Sequence, residues 1–301
     1  MKIRANGIEI EVEDSSPGEA GVGRPAVLLI MGLGMQLVAW PAQLVQALLD
    51  AGYRVIRHDN RDIGLSQHFD HLGAPNVLWA AMRSRMGLPI NNLPYQVQDM
   101  AADSLGVMEA LGIARFHVVG VSMGGMIAQR VALSQPQRVL SLISIMSSSG
   151  ARGLPHASMH VQRAMLARPD SPAPQDVLAH YLNLFKIIGS PGFPLSEDEM
   201  RSRVLIGIQR SFHPVGTLRQ MVAIMADGGR AALLGNIRSP ALVLHGKADP
   251  LVPYVCGEDT ARRIPGAQLV GIEGMGHDLA PGVVQRLLLS MLPFLHSADA
   301  R

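Results

Sequence analysis

Five consecutive apolar residues, Ala26-Val27-Leu28-Leu29-Ile30, constrain the fold more than any other feature of the chain. A strand with one face in water alternates apolar and polar side chains, whereas an unbroken run belongs to a strand covered on both faces. Such strands need a parallel sheet with helices packed on either side. Comparable, mostly apolar runs recur at Phe116 to Gly120, Val139 to Met146 and Ala241 to His245, with further strands expected over Tyr53 to His58 and Gln268 to Ile272. Between them lie stretches of helical length: Pro41 to Ala51, closed by Gly52; Tyr95 to Leu111, stopped by Gly112; Gly124 to Ser134, ending before Pro136; and a last one around Pro281 to Leu295. Asn6-Gly7 ahead of the alternating Ile8 to Val12 predicts an antiparallel hairpin at the start. From about Gly150 to Arg238 no strand is visible, only helical periodicity broken by Pro and Gly, with Ser196 and Glu199 spaced as a capping box. The pattern reads as an α/β fold with a mostly parallel central sheet flanked by helices. Residues 1–149 and 239–301 would form its core, and residues 150–238 an all-helical cap inserted over the open end of the sheet.

Composition narrows the function. Hydrophobic residues make up 48% of the 301 and charged residues 17%, enough to bury a large core. Lys and Arg number 26 against 24 acids, a net charge of +2, and no basic run occurs, so no nucleic-acid partner is expected. The longest apolar run, Val27 to Trp40, is interrupted by Gly32, Gly34 and Gln36 and is too short to span a bilayer. With a polar N-terminus that does not read as a signal peptide, the expectation is a cytoplasmic protein with no membrane span. The single cysteine, Cys256, permits no internal disulfide and no thiolate metal site, and reads as a small buried side chain. No cofactor or metal is expected: His245 and Asp249 could be imagined as metal ligands, but no third ligand lies nearby. None of these features sets an oligomeric state.

Chemistry enters at Gly120-Val121-Ser122-Met123-Gly124, a G-x-S-x-G sequence between an expected strand and an expected helix. That context is what a nucleophile elbow requires: the glycines permit a sharp turn that lifts Ser122 to the sheet edge. A serine hydroxyl attacks only when a base accepts its proton. Gly274-Met275-Gly276-His277-Asp278 offers His277 on a late glycine-flanked loop. His277 in turn needs an acid to fix its tautomer, and Asp249 stands just past the strand ending at His245. Asp278 is too close in sequence for its carboxylate to reach the far imidazole nitrogen. Two backbone N–H groups are expected to face the oxyanion, those of Met123 and of Leu33, the latter in the Met31-Gly32-Leu33-Gly34 loop.

On these residues, together with Asp59-Asn60-Arg61-Asp62-Ile63-Gly64-Leu65-Ser66, the chain resembles α/β-hydrolase fold enzymes with a helical cap, over nearly all of its length. Their chain order, Ser then Asp then His, is also the order here. The middle motif and the cap are similar to esterases of the aclacinomycin methylesterase type. Members of the α/β-hydrolase family often carry His-Gly where this chain has Met31-Gly32, and Gly where it has Asp62. The first difference removes a side chain that braces the oxyanion loop. Asp59 and Arg61 are expected to form a buried charge pair holding the loop that follows the Tyr53 strand.

The resemblance implies a serine hydrolase that acts through an acyl-enzyme on Ser122. Methionines cluster in the cap and the loops near the site, and those facing the pocket would make it apolar and adaptable. Gly34, Met35, Met159, Met221, Met225 and Leu251 are the candidate pocket residues. A hydrophobic small-molecule carboxylic ester, a methyl ester or a lactone, is the expected substrate. The same triad also supports carbon–carbon bond hydrolysis and cofactor-free perhydrolase or haloperoxidase chemistry. Outside enzymes, the alternative is a ligand-binding protein on a hydrolase scaffold.

Overall fold

The computed structural model describes residues 1–171 and 173–300. Strands β1 (Lys2–Ala5) and β2 (Ile8–Asp14) form the expected hairpin, turning through Asn6 and Gly7 at φ 49° and 81°. The other strands are β3 (Ala26–Ile30), β4 (Arg54–His58), β5 (Phe116–Val121), β6 (Val139–Ile145), β7 (Ala241–Gly246) and β8 (Gln268–Ile272). One eight-stranded sheet results, in the order β1-β2-β4-β3-β5-β6-β7-β8, antiparallel at the hairpin edge and parallel from β4 onward.

The unbroken run of β3 is buried on both sides as expected. Val27 and Leu29 face α1 (Ala42–Asp50) and α10 (Pro281–Asp299), while Leu28 and Ile30 face α3 (Val97–Ala110) and α4 (Met123–Ser134). Each of these four side chains is fully buried, which stabilises the fold by about 1.5–3 kcal/mol apiece relative to exposure. Successive strands step outward from β3 to β4, and the chain then crosses back to place β5 on the other side of β3. Their carboxyl ends therefore diverge into a crevice, the usual place for a ligand in an open α/β sheet.

Between β6 and β7 the described residues form four α-helices and no strand: α5 (Met159–Leu166), α6 (Pro174–Ile188), α7 (Glu197–Arg210) and α8 (Pro214–Ala226). The Ser196–Glu199 capping box starts α7 as read. Leu178 and Leu182 of α6 pack on Met200 and Val204 of α7. An unexpected helix, α2 (Val77–Arg85), packs Val77 and Ala80 against Met221 and Val222 of α8. Its apolar residues point both inward and outward, Leu78 and Met82 being exposed, so no periodicity announces it. Helix α9 (Tyr254–Arg263), also unexpected, joins β7 to β8. Among the described residues, no helix is long and apolar enough to cross a membrane.

The Asp59–Arg61 pair does not form. Asp59 accepts from the Leu37 and Leu65 N–H groups at 2.7 and 2.9 Å and pairs with Arg210 of α7 at 2.6 Å. Arg61 makes a bidentate pair with Asp103 of α3 at 2.6 and 2.7 Å. Asp62, the third charge of this loop, pairs with Arg219 of α8. Each charge is thus satisfied by a different helix, and the loop is held to three of them.

Candidate active site

Ser122 links β5 to α4 at φ 55° and ψ −119°, a region that strains any residue but glycine. Close packing on both sides imposes it. A Cβ on Gly120 would lie 2.0 Å from the Gly124 carbonyl oxygen, and one on Gly124 would lie 2.0 Å from that of Ile30. Only glycine fits either position. The Ser122 N–H donates to the Ile145 carbonyl at 2.9 Å and Ser147 Oγ donates to the Ser122 carbonyl at 2.7 Å, which secures the turn against β6.

Asp249 lies three residues past β7. A Cβ on Gly246 would lie 2.2 Å from the Met275 carbonyl oxygen; this close approach lets the Lys247 and Ala248 N–H groups donate to Ile272 and Met275. Asp249 Oδ1 accepts from the Leu251 and Val252 N–H groups at 2.9 and 2.8 Å, and Oδ2 stands 2.7 Å from His277 Nδ1. His277 Nε2 is 3.0 Å from Ser122 Oγ. The carboxylate takes the Nδ1–H, which leaves the Nε2 lone pair facing the hydroxyl. A hydroxyl, an imidazole and a carboxylate joined in this way can move a proton from oxygen to nitrogen and stabilise the resulting imidazolium.

Asp278 turns away from this chain of hydrogen bonds, accepting from Ser190 Oγ and the Ser190 N–H just past α6. Ser190 Oγ also accepts from the Gly276 N–H at 2.8 Å, and the His277 N–H donates to the Ile188 carbonyl at 2.7 Å. The end of α6 therefore holds the loop that carries His277. Sequence reasoning missed Ser190, whose partners lie more than eighty positions away.

Gly32 lies directly against the serine: a Cβ there would sit 3.2 Å from Ser122 Cβ and 3.7 Å from Oγ. The next residue is Leu33. Met123 opens α4, whose N-terminus carries the positive end of the helix dipole. Among the described residues, neither the Leu33 nor the Met123 N–H donates to a protein acceptor.

A cleft of about 2770 Å³ opens over Ser122 and His277, between the sheet edge and α2, α6, α7 and α8. Ligand pockets usually measure about 300–1,000 Å³, so this one has room for a large substrate. Gly34, Met35, Met221, Met225 and Leu251 line it. Met159 does not: at the start of α5 it is 63% exposed and faces outward. The clustering of methionines that suggested it does not reveal which face of α5 is turned inward. Cys256 is buried beside the cleft, and burial pushes its thiol pKa up to about 11, which leaves it unreactive.

The residue match decides the family: the alpha/beta hydrolase fold model covers residues 25–280. The chain belongs to the alpha/beta hydrolase fold family. It is 28% identical to rhodomycin D methylesterase of Streptomyces sp. (strain C5), over 92% of this chain and 94% of that protein. It is also 28% identical to the 2-hydroxy-6-oxononadienedioate/2-hydroxy-6-oxononatrienedioate hydrolase of Burkholderia vietnamiensis (strain G4), over 92% and 88%. The enol-lactonase of Burkholderia xenovorans LB400 shares the fold with a TM-score of 0.75 at 23% identity, covering 98% of this chain and all of that one. The enol-lactonase shows the fold alone, whereas the two relatives by sequence bear out the expectation of a hydrolase of the esterase kind, and the carbon–carbon bond alternative also has a counterpart among them.

Two features of this alpha/beta hydrolase concern other histidines. His68, Asp70 and His213 place three potential metal-ligand atoms within 4.8 Å of one another. The His68 and His213 rings are stacked 3.8 Å apart, so their in-plane lone pairs do not converge, and His213 Nε2 already meets Asp70 Oδ1 at 2.7 Å. The group is accounted for as a hydrogen-bonded pair under a stacked ring. His58, His117 and His245 are buried inside the sheet region, and burial lowers the pKa of each below 6.5. The folded protein keeps them neutral, whereas the unfolded chain protonates them at ordinary values. Stability from this source is full above pH 6.5 and is lost as pH falls through that value toward the lower folded pKa values. The urea midpoint is expected to drop between pH 7.5 and 5.5. The His58→Gln variant, whose amide can keep the bond to Ser104, should show a shallower drop; an unchanged slope would remove His58 from this account.

Proposed function

We propose that the protein hydrolyses a hydrophobic carboxylic ester, a methyl ester or a lactone, through an acyl-enzyme on Ser122. The observation that carries this reading is the continuous hydrogen-bond chain Ser122–His277–Asp249 opening into a methionine-lined cleft. Ser122 Oγ attacks the ester carbonyl as His277 Nε2 takes its proton, and the Leu33 and Met123 N–H groups donate to the oxygen that becomes negative. His277 then gives its proton to the departing alkoxide. Water attacks the acyl-enzyme with His277 again as base, releasing the acid and restoring the serine. Asp249 holds the imidazole in the working tautomer throughout.

In this reading residues 150–238 form a helical cap domain over a core of residues 1–149 and 239–301, with Gly34, Met35, Met221, Met225 and Leu251 shaping the substrate pocket. Support for an ester comes from the methylesterase relative and from the apolar cleft wall. A cytoplasmic setting agrees with a single, buried cysteine.

The test is fluorophosphonate labelling of the purified protein, followed by p-nitrophenyl esters of increasing acyl length and a panel of methyl esters and lactones. Labelling at Ser122 and a preference for apolar esters are expected. A folded protein that takes no label would overturn the nucleophile assignment. Activity confined to ring-fission diketones or to peptides would overturn the ester.

A further inference from the structure

The loop expected to supply one oxyanion donor is held from outside itself. Its entry is fixed by Asn60 Nδ2, which donates to the Met31 carbonyl at 2.9 Å. Gly32-Leu33-Gly34-Met35 then forms a turn closed by the Met35 N–H to the Gly32 carbonyl at 3.2 Å, with Gly34 at φ 69°. A positive φ at the third residue marks a type II turn. Such a turn can flip its central peptide, here Leu33–Gly34, and thereby change the direction of the neighbouring N–H groups. One hydrogen bond opposes that flip. The Gly34 N–H donates to Gln220 Oε1 at 3.0 Å, and Gln220 Nε2 donates to the Arg61 carbonyl at 2.9 Å.

Gln220 belongs to α8 and is completely buried. Both ends of its amide are used, so it cannot rotate without breaking one bond. Helix α8 also closes on Gly34 from above: a Cβ on that residue would lie 2.8 Å from Thr217 Oγ1. Nothing else among the described residues accepts from the Gly34 N–H.

We propose that Gln220 is a positioning residue for the oxyanion hole: by holding the Gly34 N–H it fixes the turn at Leu33, so that the Leu33 N–H, in the preceding Gly32–Leu33 peptide beside Ser122, stays directed at the reacting carbonyl oxygen. The active site is thus complete only when α8 is seated on the core. This inference rests on the reading of Ser122 as the nucleophile.

The test compares wild type, Gln220→Met and Gln220→Asn. Methionine keeps the volume and loses both hydrogen bonds; asparagine is polar but too short to reach both partners. For a p-nitrophenyl ester, kcat is expected to fall about 10- to 100-fold in each variant with KM within about twofold, because the lost contact acts in the transition state. Affinity for an alkyl trifluoromethyl ketone, which adds Ser122 to its carbonyl and places an oxyanion in the hole, should fall in parallel. The pH dependence of kcat should keep its shape, since His277 and Asp249 are untouched. A role confined to stability would lower the unfolding midpoint and leave the folded protein's kcat and ketone affinity at wild-type values, which would overturn the proposal. If Gln220→Met does not fold, Gln220→Asn carries the same readouts. Should Ser122→Ala still hydrolyse the ester, or wild type neither turn it over nor add the ketone, the nucleophile reading itself fails and this inference with it. Should Ser122→Ala be inert while both Gln220 variants stay fully active, only the role of Gln220 falls.

Discussion

Replacing Ser122 with alanine should lower kcat for ester hydrolysis roughly 10⁶-fold, the loss seen when the nucleophile of a serine triad is removed. No neighbouring group can take its place. Ser147, a nearby hydroxyl, is committed to the Ser122 carbonyl, and Cys256 keeps its proton. What remains is catalysis by backbone donors and binding alone. The fold should be untouched, because among the described residues the only side-chain hydrogen bond lost is the one to His277 Nε2, in a part-buried and strained position where activity rather than stability is served. His277→Ala should fall into the same range, and Ser122→Ala/His277→Ala should fall little further, since the two act as one unit. Steady-state kinetics with circular dichroism as a folding control checks all three. Wild-type turnover by a folded Ser122→Ala protein would remove the triad from the mechanism.

Breaking the Asp62–Arg219 pair should produce the largest loss of stability. Asp62 sits at φ 72°, where a glycine would be at ease. Here an aspartate tolerates the strain because its carboxylate is bound on both oxygens. Arg219 Nε and Nη2 donate to it at 2.7 and 2.8 Å, and the Phe69 N–H adds a third bond at 2.8 Å. Neither charged side chain is exposed. Burial would raise the Asp62 pKa, but the Arg219 and Phe69 hydrogen bonds outweigh it and hold the carboxyl below its ordinary value. Arg219→Met leaves this carboxylate buried without its partner and should cost about 3–5 kcal/mol. Asp62→Gly/Arg219→Met removes both charges and relieves the φ, and should recover most of that loss. Urea unfolding of the single and double variants measures the coupling. A single-variant loss below about 1 kcal/mol, or no recovery in the double, would show that the pair does not hold α8 to the core.

Much of the architecture was legible because burial on two faces leaves a local mark. Ala26 to Ile30, Phe116 to Gly120 and Ala241 to His245 read as strands within a residue or two of their observed ends. Helix α2 was not legible, since its apolar residues serve both the packing against α8 and an exposed face. Met159 misled for a related reason: composition suggests a pocket residue, but only the seating of α5 decides which side faces the cleft.

The catalytic arrangement divides in the same way. Ser122, Asp249 and His277 each announce themselves by glycines and a strand end next to them, because a sharp turn and a close backbone approach demand particular local residues. By itself, then, the sequence determined the sheet, the elbow and the three groups that form the hydrogen-bond chain. Only the tertiary structure decided how they are held: that Asp59 and Arg61 bind different helices rather than each other, that Ser190 carries the His277 loop, and that Gln220 reaches Gly34 across 186 positions. A hydrogen bond between distant segments leaves no periodicity or spacing in either one. It exists only once packing has brought its donor and acceptor within 3 Å, and packing is a property of the whole chain.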